Sequence, residues 1–137
     1  MSRSGYSDEY EETVNLWRGT VARAIKGKRG QAFLKEMLGA LDALPEKKLV
    51  ANELVEKDGC VCALGAVGRA RGMDMKDIDP EDHEGVAHKF GMAHALACEV
   101  MYVNDEMGPY TRTETSEERF VRVRAWVAEK INSPVGS

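Results

Sequence analysis

The sequence predicts an all-α fold, a compact bundle of five to six helices around a small-residue central helix, with a short extended or hairpin piece feeding that helix. Three observations predict it. The stretch from Asp58 to Gly72 reads DGCVCALGAVGRARG, and between Cys62 and Ala70 only Leu64, Val67 and Arg69 are larger than Ala or Gly. So thin a segment cannot fill a core with its own bulk, but it lets larger apolar faces approach closely, which suits a buried central helix. Elsewhere apolar residues recur at steps of three and four, the spacing of one helix face. Capping and breaking residues punctuate these runs.

Taken in order, Ser7 is a candidate cap for a first helix with an acidic first turn. Tyr10, Val14, Trp17, Val21, Ala24 and Ile25 give its inward stripe, and Gly27 ends it. A basic linker, GKRG, leads to a second helix on which Phe33, Leu34, Met37, Leu38, Leu41 and Leu44 form one broad apolar face before Pro45 stops it. A short link between two amphipathic helices predicts an antiparallel pair. The stretch 46–57 is ambiguous: Leu49, Val50, Leu54 and Val55 suit a short helix, whereas Asp58-Gly59 between β-tolerant runs signals a hairpin. The extended reading is favoured, and Asp58 is expected to cap the central helix, with Gly72 just past its end.

Asp79 followed by Pro80 predicts the next helix start. Val86, Ala87 and Phe90 lie on a short helix, Gly91 breaks it, and Met92, Leu96, Ala97, Val100 and Met101 belong to the following one. This rhythm is helix-turn-helix-like. The second helix, however, offers Ala93, His94, Ala95, Cys98 and Glu99 rather than the donors and cations that base edges and phosphates require, so the unit reads as packing. After a turn-rich loop, Thr115 and Glu118 form a capping box for a last helix with Phe120, Val123, Trp126 or Val127, and Ile131 inward, ended by Ser133 and Pro134.

A chain of 137 residues with 43% apolar content suits a single domain over 1–137, with 1–6 and 133–137 expected to fray. The net charge of −4 weighs against a dedicated nucleic-acid binder or a membrane-surface protein. No apolar run approaches the ~20 residues of a membrane span. The polar opening MSRSGYSDEYEE does not read as a signal peptide, and three cysteines without such a signal predict reduced thiols in the cytoplasm. Charge is segregated along the chain. Arg18, Arg23, Lys26, Lys28, Arg29 and Lys35 follow one another without an acid, whereas between Asp79 and Glu106 the only formal cation is Lys89. Such a bipolar molecule is suited to docking by electrostatic complementarity or to stacking on itself, unless these are ordinary solvated faces.

Four constellations carry candidate chemistry. Cys60, Cys62, His94 and Cys98 have the composition of a zinc site, although Cys-x-Cys is not a usual zinc spacing and both thiols reach one ion only from an extended segment. Cys62 with His83, His88 or His94 and Asn104 follows the order of a thiol hydrolase, yet the small apolar residues after Cys62 suggest burial rather than a cleft. Glu99, Asn104, Asp105 and Glu106 form a possible carboxylate site, or simply a helix end and a solvated turn. The fourth is the basic group Arg18, Arg23, Lys26, Lys28, Arg29 and Lys35, extended by Arg69 and Arg71. Trp17 and Phe33 fall on apolar faces there and read as core rather than as stacking platforms. This basic group is the best partner-binding surface in the sequence.

The segments VCALGAVGRARG, FGMAHALACEVMYVNDE and TSEERFVRVRAWV together resemble a group of short proteins with no defined activity, encoded by tailed bacteriophages and prophages. The resemblance extends over most of the chain from about Gly27 onward and transfers no role to any residue. It implies a context in which small proteins bind a host enzyme, a defence complex or another phage protein. The expectation is therefore a non-catalytic phage-type binding protein that modulates a host or phage protein complex, including a host-defence inhibitor, as a monomer or homodimer without cofactor, metal or membrane contact. The alternatives are a nucleic-acid-associated protein using the basic group and a small cysteine/histidine enzyme.

Overall fold

In the computed structural model, residue 3, residues 11–109 and residues 111–131 are described, with side chains of 11–15 excepted. The expected cap at Ser7, the stripe positions Tyr10 and Val14, the stop at Ser133-Pro134 and, apart from Arg3, the expected frayed ends lie outside these. Among the described residues six helices follow one another: α1 (Glu11–Lys26), α2 (Lys28–Asp42), α3 (Ala63–Ala70), α4 (His83–Phe90), α5 (His94–Glu106) and α6 (Ser116–Ile131). No strand ladder occurs among the described residues. The segment before α3 is a hairpin held by a single antiparallel bridge, Val55 with Val61. Backbone bonds from Glu56 to Cys60, Cys62 to Leu54 and Val50 to Val61 complete it.

Asp58 therefore does not cap the central helix. It sits in the hairpin turn, where its Oδ1 accepts the Cys60 N–H at 3.0 Å. Cys62 is the N-cap of α3, its Sγ accepting from the Gly65 N–H at 3.4 Å. The Asp-Gly turn signal prevails over the capping signal because the two runs around it pair with each other. At the other end Gly72 falls where expected, with φ +70°. The N–H of Met73 returns to Gly68 and that of Gly72 to Arg69, which satisfies the last carbonyls of α3.

Residues 63–68 of α3 are all buried. The helix packs mainly on α2 and also on α5. Its small residues act as the sequence implies: a Cβ on Gly65 would lie 1.9 Å from the Leu54 carbonyl oxygen, so the hairpin backbone passes directly over α3. Helix α5 shares the centre. Nine of its 13 residues are buried, which places it between neighbours on several sides rather than in a DNA groove.

Three further elements differ from expectation. The α1–α2 link is Gly27 alone, and Lys28, Arg29 and Gly30 form the first turn of α2. The two helices meet at a corner, where a Cβ on Gly30 would lie 1.8 Å from the Ala24 carbonyl oxygen. Their main packing is with others, α1 with α5 and α2 with α6 and α3, because the broad face of α2 is covered more fully there. Finally, Asp79-Pro80 form a turn and Asp82 caps α4, its Oδ1 accepting the Gly85 N–H at 3.1 Å. The capping box of α6 forms as expected: Glu118 N–H to Thr115 Oγ1 at 3.1 Å, and Thr115 N–H to Glu118 Oε1 at 2.9 Å. Val127, not Trp126, is the buried member of its inward face.

Candidate functional site

The predicted basic group divides in two. Arg18 donates to both oxygens of Glu99 on α5, at 2.7 and 2.8 Å, and Glu99 is buried. This pair joins the basic stretch of the sequence to the acidic one, so part of the charge segregation is neutralised within the fold. Arg23, Lys26, Lys28, Arg29 and Lys35 are all exposed around the α1–α2 corner. Arg23 bonds to Thr20 Oγ1 and Arg29 to the Gly91 carbonyl, but none of the five enters an ion pair among the described residues. Lys28 and Lys35 lie seven residues apart and so share a face of α2. The corner itself is fixed by Gln31, whose Nε2 donates to the carbonyls of Ile25 and Lys130.

Phe33 is buried, and Trp17 packs edge-on against His94 with ring centroids 5.8 Å apart. Arg71 does not extend the patch. Its guanidinium is held by Glu36 at 2.7 Å on two nitrogens, donates to the Phe90 carbonyl and lies over the Phe33 and Phe90 rings. It ties α2, α3 and α4 together.

The proposed cysteine sets are not assembled as the sequence suggests. Cys60 lines a surface cleft of about 540 Å³ with Lys48, Arg69, Met73 and Met75. Its thiol is pushed above the ordinary value by burial and by Asp58. Cys62 is fully buried, and its hydrogen bonds are to Gly65 and Arg3, with no histidine among them. Asn104 does come close: its Oδ1 accepts the Ala63 N–H at 3.1 Å, but its amide is spent on the Val50 carbonyl and Asp105. Neither do the four carboxylate-site residues share a vacancy. Glu99 faces Arg18, Asp105 is paired with Arg3, Asn104 is a buried hub, and Glu106 is exposed.

His94 and Cys98 are joined instead by His83, from the first turn of α4. Nδ1 of His83 contacts Nε2 of His94, and the rings stack at 4.6 Å with 19° between planes. Burial and the neighbouring His83 hold the His94 imidazole below its ordinary value, against the pull of Glu84. Burial, with Glu84 and Glu99 nearby, pushes the Cys98 thiol up to about 11.

Several polar residues that matter to the structure carry no sequence signal of their role. Arg3, expected to fray, is buried and donates to Asp105 and Cys62. Arg119 and Arg122 of α6 donate to the carbonyls of Val103 and Asn104, at the negative end of α5, and pair with buried Glu114. Only their position, one helix turn apart and both basic on a half-buried stretch, hints at it. Among the described residues no helix is long and apolar enough to cross a membrane. No protein-family model, curated protein or solved structure matches the chain.

Proposed function

We propose that this chain is a non-catalytic, phage-type binding protein that modulates a host or phage protein complex, a host-defence complex included, by docking its α1–α2 corner on an acidic protein face. One observation carries the reading. Arg23, Lys26, Lys28, Arg29 and Lys35 stand exposed on a corner braced by Gly30 and Gln31 and make no ion pair among the described residues, whereas Arg3, Arg18, Arg71, Arg112, Arg119, Arg122 and Arg124 each have a carboxylate partner. Exposed cations clustered in a molecule of net charge −4 steer an acidic partner and add specificity.

A protein partner is favoured over single-stranded nucleic acid because the aromatic rings near this corner are turned inward. Phe33 lies in the core and Trp17 against His94, so neither forms a base-stacking platform beside the cations. The resemblance to short phage proteins agrees in size and context.

The experiment is an affinity capture from bacterial lysate, with and without nuclease, comparing the natural chain with a Arg23→Glu, Lys28→Glu, Lys35→Glu variant. All three positions are exposed, so the helical circular dichroism is expected to be unchanged. Retention of one acidic partner after nuclease, lost in the variant, supports the reading. Partners that vanish with nuclease in the natural chain point to nucleic acid. A partner retained equally by both chains removes the corner as the interface.

A further inference from the structure

We propose that His83, His94 and Cys98 form a binding site for a zinc-class divalent ion that ties the first turn of α4 to the first turn of α5. The proposal is independent of the docking corner. The donor atoms of the three side chains all lie within 4.8 Å of one another. A tetrahedral zinc, with bonds of about 2.0–2.1 Å to nitrogen and about 2.3 Å to sulfur, sets its donors roughly 3.3–3.6 Å apart. The cluster is thus within small side-chain adjustments of coordination.

Position in the fold makes the convergence specific. His94 and Cys98 are four residues apart and share one face of α5. His83 is eleven residues before His94, on another helix, and the α4–α5 packing brings it onto that same face. Its Nδ1 faces His94 Nε2, so one ring nitrogen of each imidazole converges beside the Cys98 thiol. Two imidazoles and a thiolate match the borderline-soft preference of zinc and cobalt, and not that of magnesium or calcium. Cys98 is buried while both histidines are half-buried, which anchors the sulfur inside and leaves the fourth position to water. On binding, the Cys98 S–H bond breaks, the sulfur–metal bond forms and the proton goes to solvent. With the ion held by His83 Nδ1 and His94 Nε2, the bound form carries the ring protons on His83 Nε2 and His94 Nδ1.

The test is a titration of the reduced, metal-stripped, tag-free chain with cobalt(II), followed by displacement with zinc. One equivalent of cobalt is expected to give a thiolate-to-cobalt charge-transfer band and intense tetrahedral visible bands, both abolished by zinc. Cys98→Ser is expected to lose the charge-transfer band, and His83→Gln and His94→Gln each to weaken binding at least about tenfold. Cys60→Ser is expected to leave the spectrum unchanged. Because Cys98 is buried, a folding defect in its variant is controlled by His83→Gln at the surface end of the cluster: zinc is expected to raise the melting temperature of the natural chain and not of this variant. Absence of the charge-transfer band in the natural chain, or binding by His83→Gln and His94→Gln as tight as by the natural chain, overturns the site.

Discussion

Arg18 on α1 and Glu99 on α5 form a two-pronged ion pair in which the carboxylate is buried, 4% exposed, and the guanidinium is 47% exposed. Two groups that the sequence assigns to different surfaces thus neutralise each other. Removing the cation leaves a buried charge. Arg18→Ala is therefore expected to cost about 2 kcal/mol, below the roughly 3–5 kcal/mol of a fully buried pair because water screens the arginine side. Urea denaturation of Arg18→Ala, Glu99→Gln and the double variant checks it: the double variant should cost less than the two single changes together.

Asn104 occupies three partners at once, the Ala63 N–H, the Val50 carbonyl and Asp105. It is the point where the hairpin, α3 and α5 meet. Asn104→Ala leaves a buried donor and acceptor without partners and is expected to cost about 2–4 kcal/mol, read from the urea midpoint. A loss under ~0.5 kcal/mol would show that the three elements do not depend on this side chain.

Gly65 lies under the hairpin backbone. A Cβ there would meet the Leu54 carbonyl oxygen at 1.9 Å, and a main-chain atom cannot rotate aside. Gly65→Ala is expected to destabilise by about 3 kcal/mol, at the upper end of ordinary overpacking. By contrast, a Cβ on Gly39 would meet nothing within 4 Å, so Gly39→Ala is expected to be neutral or slightly stabilising in the same melts.

Glu118 accepts from Arg112 and from the Thr115 N–H, and these bonds lower its carboxyl to about 2 from an ordinary 4.5. A carboxylate depressed in the folded state stabilises it above the ordinary value and loses that contribution as pH falls through the folded one. The N-terminal turn of α6 should accordingly keep its capping box down to about pH 3 and lose it near pH 2. Carbon-detected NMR titration of Glu118 checks the midpoint, and a value near 4.5 would show the bonds are not held in solution.

Cys60 is the one cysteine of the three that is not buried, so its reactivity is the one open to reagents. Burial and Asp58 raise its thiol, so alkylation by iodoacetamide at neutral pH is expected to be slower than that of glutathione. Asp58→Asn is expected to speed it. Labelling faster than glutathione in the natural chain would instead mark an activated nucleophile.

Much of the fold is legible in the sequence because it is local. Periodic apolar residues fix α2, α4, α5 and α6, and Thr115 with Glu118 caps the last of them within four residues. The small side chains of α3 declare that something must pack closely on it, and Leu54 does. The cluster of His83, His94 and Cys98 was half visible. His94 and Cys98 share a helix face by spacing alone, but His83 reaches them only through the packing of α4 on α5, and Cys60 and Cys62 are drawn instead into the hairpin and the cap of α3. The competition at Asp58 is similar: one residue can serve a turn or a helix start, and pairing of Val55 with Val61 decides it.

By itself, then, the sequence determined which segments are helical, which face of each is apolar, and that α3 is thin enough to be buried, since these follow from interactions between residues three or four apart. Only the tertiary structure decided which charges remain available. Arg18 meets Glu99 across 81 positions and Arg3 meets Asp105 across 102, while Arg23, Lys26, Lys28, Arg29 and Lys35 meet no carboxylate among the described residues. A charge is neutralised by what lies within a few ångströms, and for these residues that neighbour is set by the packing of helices distant in the chain.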